Sequence, residues 1–208
     1  MLLRFCSGQV CALFFVFYLV FFSVCIEAGP KIPEKFVYDV YWLGIRAGTA
    51  TLEFKETPEG VTIKSSVVSA PFISVFYEVD DFAQSTLYVD GYPRDYILKV
   101  REGRSRRDKA THFMTKPADG PQKIIYNNKL DDHISEYYLM KQAFDPLSGF
   151  YEIRKRPLKV GHPAYLDIFD SKKVWNVEVQ VLRKERVRIP DGEFDTIVIK
   201  PLMQSEGI

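Results

Sequence analysis

The chain has 208 residues, with 28 Lys and Arg against 27 Asp and Glu, for a net charge of +1. That balance excludes the basic footprint of a nucleic-acid-binding domain, and no nucleic-acid partner is expected. All three cysteines, Cys6, Cys11 and Cys25, precede Ala28, so the remainder has no disulfide, thiolate metal ligand or cysteine nucleophile.

Met1–Ala28 reads as an export signal. Arg4 supplies the positive start, Val10–Ile26 is apolar apart from Ser23, and Ala28 offers a small residue for cleavage. The apolar run is long for a signal core and short for a comfortable membrane span. Three outcomes follow: a signal cleaved near Ala28, an uncleaved anchor in the inner membrane, or a lipoprotein carrying its lipid on Cys25. Val24 is bulky for the position before a lipidated cysteine. The expected location is therefore the periplasm, with the inner membrane or a lipid anchor as alternatives. Residues 29–208 are expected to form a single β-rich domain, since roughly 180 residues suffice for one core.

Past Pro33 the pattern has period two. Phe36, Tyr38, Val40 and Trp42 share one face, Gly44–Gly48 reverses the chain, and Ala50, Leu52 and Phe54 return. Pro58–Gly60 turns into Val61, Ile63, Ser65 and Val67. Ala70–Tyr77, broken by Pro71, fits one helical turn or an apolar rim. Strands resume over Glu78–Val89 and at Tyr96, Leu98 and Val100, followed by a basic tip, Lys99–Lys109, that contains Arg101, Arg104, Arg106 and Arg107. Further strands begin at His112 and near Ile124, while Asp131–Gln142 fits either helix or strand.

Phe144–Gly161 breaks the strand pattern. Asp145 is a good helix N-cap, and Pro146 sits at the first helical position, where its missing N–H costs nothing. Leu147, Phe150, Tyr151 and Arg154 recur at spacings of three and four. Pro157 stops the helix. So short a helix is not stable alone and is expected to lie across a sheet. Strands return at Tyr165–Phe169 and Lys172–Glu185, and, after Pro190–Gly192, at Thr196–Lys200. The expected fold is mainly β: a highly twisted antiparallel sheet, or an open or half β-barrel, with one short helix packed on or across it. Because the sequence stops just after a strand, the chain is expected to be C-terminally truncated.

Catalytic patterns are missing. His112, His133 and His162 are scattered without metal-ligand spacing. Asp80-Asp81 and Asp131-Asp132 are adjacent pairs, whose side chains point to opposite faces of a strand. No nucleophile elbow and no phosphate-binding loop occurs. No catalytic residue, metal or cofactor is expected, and the chain reads as a non-enzyme.

The stretches Phe36–Phe54, Val79–Asp81, Gly91–Ile97, Phe144–Gly161 and Val187–Pro201 together resemble the bacterial family catalogued as domain of unknown function 3108. The resemblance implies exported, periplasmic or envelope proteins, mostly β, whose members continue past this chain's end. It implies no activity, cofactor or catalytic residue.

Two functions from different classes are expected. The first is a non-catalytic binding or carrier module for a lipid-like or apolar ligand, with Trp42, Phe150, Tyr151 and Trp175 lining a cavity, the Asp145–Arg154 helix as its lid, and Arg154 meeting a head group. The alternative is a structural or assembly component of the cell envelope that binds a protein or polysaccharide through a sheet edge or the basic tip. Membrane contact is expected only through the leader or through that tip, whose arginines (Arg101, Arg104, Arg106, Arg107) would meet anionic groups.

Overall fold

The computed structural model describes residues 32–206; the leader and its cysteines lie outside them. Among the described residues the chain forms eleven strands and two helices: β1 (Glu34–Trp42), β2 (Ile45–Thr57), β3 (Gly60–Ser69), α1 (Pro71–Ser74), β4 (Asp80–Leu87), β5 (Pro93–Glu102), β6 (Ser105–Phe113), β7 (Gln122–Asn128), β8 (His133–Leu139), α2 (Pro146–Lys155), β9 (Ala164–Asp170), β10 (Lys173–Ile189) and β11 (Gly192–Glu206). β1 to β8 make one antiparallel meander in sequence order, and β9 to β11 make a second sheet, with β10 in the middle. Among the described residues the large sheet does not close on itself. This is the open, mainly β architecture with a helix packed across it that the alternation implies. Asp131–Gln142 resolves as strand β8 and the Ala70–Tyr77 segment as the single turn α1.

Short connections fix the meander, because a tight turn returns each strand beside its predecessor. Register then builds one row across the inner face: Phe54, Ile63, Ser85, Tyr96, Thr111 and Tyr126 pair in succession from β2 to β7. All six are buried. Two elements cover this row. α2 lies over the β2–β4 side, where Tyr151 packs on Phe54, Ile63 and Leu87, its ring 5.6 Å from that of Phe54. The small sheet covers the β6–β8 side through Phe169, edge-on to Phe113 at 6.2 Å and 5.1 Å from Tyr137.

The helix is set by its cap. The Asp145 carboxylate accepts from the backbone N–H of Leu147 at 2.8 Å and of Ser148 at 3.0 Å, and Ser148 Oγ accepts from the Asp145 N–H at 2.9 Å. These bonds satisfy amides that the first turn leaves without partners. Gly149 lets the helix lie close on β9: a Cβ there would be 3.0 Å from Leu166 Cδ1 and 3.1 Å from Ile168 Cδ1. Just ahead of the helix, Phe144 bridges to Ile168 in parallel and stacks on Tyr92 at 5.0 Å. Phe144 thereby joins the two sheets.

Candidate apolar ligand site

In an antiparallel meander every second connection falls at the same end of the sheet. The β1–β2 turn, α1 between β3 and β4, and the β5–β6 turn therefore share one end. The fully buried Phe54, Ile63, Leu87, Phe113 and Ile124 all lie toward the other end. Between the first two connections opens a pocket of about 480 Å³, a volume suited to a small ligand.

Val40 and Trp42 of β1 and Ala47 of β2 form one wall. Ala47 is an extra residue opposite β1, since Val40 pairs with Gly48 and Tyr41 with Arg46; this bulge presents its methyl group to the pocket. Val67 and Val79 form the floor, and Ile73, Phe76 and Tyr77 of the α1 segment form the far wall. The Ser69 hydroxyl, also on the lining, is 2.7 Å from Ser74 Oγ and accepts from the Val79 N–H at 2.9 Å, which leaves the surface almost wholly apolar. The pocket rim is exposed: Trp42 retains 65%, Leu43 82%, Val75 78% and Phe76 87% of their accessible surface.

Of the five aromatic and arginine candidates named from sequence, Trp42 lines this pocket. Tyr151 is buried under the large sheet. Trp175 packs beside Phe144, Leu166 and Val177 in the small sheet's core. Phe150 is on the surface of α2, 6.0 Å from the Arg154 guanidinium. Arg154 bonds Glu34 at 2.7 Å, and its guanidinium carbon lies 5.2 Å from the Phe36 ring and 4.9 Å from that of Phe54. Its Nη1 is buried without a hydrogen-bond partner among the described residues; the ring faces supply the electron density that an acceptor would. α2 is thus a packed core element, and Arg154 fastens it to β1. Sequence pattern could not locate the pocket on α1, because four residues carry too little periodicity to fix a face.

The basic tip is the β5–β6 turn, and it adjoins the same pocket. The Gly103 N–H donates to Glu78 O at 2.8 Å, and the Tyr77 ring occupies the space a Cβ on Gly103 would need, 2.6 Å away. Arg101 pairs with Glu78 at 3.1 Å and Arg107 with Glu102 at 3.3 Å. Arg106 donates to the carbonyls of Gly103 and Ser105, both at 2.7 Å. Among the described residues Arg104 makes no such contact.

Asp145 is fully buried. Complete burial raises its pKa, against the opposing pull of the hydrogen bonds from Ser85 and from the first turn. Its role is to cap the helix. Tyr96 is raised by burial first and by the nearby Asp145 second. Among the described residues no group of three or more His, Cys, Asp or Glu could hold a metal ion, and no helix is long and apolar enough to cross a membrane.

A family model described as "Protein of unknown function (DUF3108)" matches residues 37–208. The chain belongs to this family. The matched span covers the meander from β1 onward, α2 and the small sheet, so the pocket, the rim and the capped helix all lie within it. No curated protein and no solved structure matches the chain.

Proposed function

We propose that this protein is an exported, non-catalytic binding or carrier module for an apolar, lipid-like ligand held between the β1–β2 hairpin and α1. The observation that carries this reading is the pocket itself: about 480 Å³, bounded by Val40, Trp42, Val67, Ile73 and Phe76, with the Ser69 hydroxyl already engaged. Such a surface gains free energy by taking up hydrocarbon. The export reading rests on the leader, Met1–Ala28, with the periplasm as the compartment.

The chain's two tryptophans make a direct test possible. Trp42 lines the pocket and Trp175 lies in the small sheet's core. A fatty acid brominated on its chain should quench Trp42, read in a Trp175→Phe background, with saturation at one equivalent. Trp175, read in a Trp42→Phe background, should be unaffected. Absence of saturable Trp42 quenching would sink the carrier reading. It would favour the alternative, an assembly component whose exposed apolar rim receives another envelope protein.

A further inference from the structure

Three connections meet around the pocket mouth. The β1–β2 turn brings Trp42 and Leu43, α1 and its flank bring Phe72, Val75 and Phe76, and the β5–β6 turn brings Arg104 and Arg106. All five apolar residues are exposed. The three connections are physically joined: Ala70 donates its N–H to Ala47 O at 2.7 Å, and Gly103 to Glu78 O at 2.8 Å.

We propose that this rim docks on the surface of a lipid bilayer bearing anionic head groups, with the pocket mouth facing the acyl region. The inference deepens the carrier reading and rests on it for the cargo. Two features favour a bilayer over a protein partner. First, the side chains are those that settle at a membrane–water boundary: a tryptophan and aliphatic and phenylalanine residues on protruding turns, with arginines beside them. Second, the charge is one-sided. Residues 99–109 carry six cations, Lys99, Arg101, Arg104, Arg106, Arg107 and Lys109, against two anions, Glu102 and Asp108. Of the carboxylates at this end, Asp39, Glu78 and Glu102 pair with Arg46, Arg101 and Arg107, Asp81 accepts from the Arg101 N–H at 2.9 Å, and Asp80 stands beside it at the start of β4. Arg106 is held on the turn by the carbonyls of Gly103 and Ser105, and neither it nor Arg104 pairs with a carboxylate among the described residues; both charges can therefore act on an anionic surface, which attracts each nearby cation across a Debye length.

The test uses the full chain with phosphatidylcholine vesicles, with and without phosphatidylglycerol, and brominated phosphatidylcholine as quencher. Trp42 should be quenched in anionic vesicles and much less in neutral ones, and Trp175 should not be quenched in either. Replacing Arg104 and Arg106 with alanine should weaken the docking roughly fivefold per residue, about 25-fold for both. The triple variant Leu43→Ser, Phe72→Ser, Val75→Ser alters rim residues that do not line the pocket. It should lose vesicle quenching while it keeps saturable quenching by free brominated fatty acid. Vesicle association with Trp42 unquenched, or quenching indifferent to anionic lipid and to the arginines, overturns the docking. So does no association at either composition, an outcome that assigns the rim to a protein partner. Docking without fatty-acid binding sinks the carrier reading instead and leaves the surface assignment standing.

Discussion

Arg154 on α2 and Glu34 on β1, 120 residues apart in sequence, form a 2.7 Å ion pair, with the guanidinium against the rings of Phe36 and Phe54. Both side chains are largely shielded from water, so the pair is screened less than a surface bridge. Arg154→Ala removes the bridge and the ring contacts together and leaves Glu34 without its partner. The expected loss is about 2–3 kcal/mol in urea unfolding. Glu34→Gln retains an acceptor and the rings, and should cost about 1 kcal/mol or less. A double-mutant cycle on the two should return a coupling near 1 kcal/mol. A coupling of zero would mean that the rings alone hold the arginine.

Ser85 donates to the Asp145 carboxylate at 2.6 Å, inside a fully buried site. Asp145→Ala removes the cap and strands the Leu147 and Ser148 amides and the Ser85 hydroxyl, at a cost of about 2–4 kcal/mol. Asp145→Asn keeps an acceptor for the helix amides and turns an N–H toward Ser85, so its cost at neutral pH should be much smaller.

The same pair of variants gives a pH signature. Burial raises the Asp145 pKa in the folded state, so folding binds its proton more tightly than the unfolded chain does, whose value is near 3.9. The stability this contributes is fully present below that unfolded value and is lost as pH rises through the raised folded one. The Asp145→Asn protein lacks the titration. The wild-type chain should therefore lose stability relative to Asp145→Asn as pH rises from about 3.9. A difference that stays flat, or that shifts in favour of the wild type, would show that the hydrogen bonds outweigh the burial.

Val67→Phe, in the Trp175→Phe background so that Trp42 alone reports, should fill the pocket from its floor. An aromatic residue is well tolerated in a strand, so the thermal midpoint should stay within a few degrees while quenching of Trp42 by brominated fatty acid falls by at least about tenfold. Equal loss of fold and binding would show that the pocket wall is part of the structural core.

Gly103 has φ +53 and abuts the Tyr77 ring. Gly103→Ala must adopt a left-handed backbone and also push that ring aside, at a cost of about 1–2 kcal/mol. Because Tyr77 lines the pocket, ligand affinity should fall as well. A change in stability with affinity untouched would separate the turn from the pocket.

The elements that were legible in the sequence are those with local causes. Asp145, Pro146 and Pro157 fix α2 to within a residue or two, since the cap bonds lie within four residues of one another. Strict alternation from Phe36 to Phe54 gives β1, β2 and their inner face. The split into two sheets was not legible, because β9 reads like any other half-buried strand, and nothing local says that it pairs with β10 and not with β8. The site was half legible. Trp42 falls on the inner face by parity, but alternation alone places it beside Phe36 and Phe54 in one cavity. The chain instead buries Phe54 under α2 and leaves Trp42 beyond the reach of the helix, at the open end. Likewise Arg154 reads as a free cation on a helix face, because its acceptor on β1 lies too far along the sequence for any local rule.

The meander has unequal cohesion along its strands. Where α2 and the small sheet lie on it, breaking a β2–β3 hydrogen bond near Phe54 and Ile63 requires lifting a covered layer. Near Trp42 and Ile45 the β1–β2 ladder is exposed, and fraying there disturbs little else. Amide hydrogens should exchange slowly at the first place and quickly at the second, along the same strand. Under the carrier reading proposed above, cargo would enter by a local breath of the hairpin and α1, on a timescale decoupled from global unfolding, and the folded scaffold would persist through each loading and release.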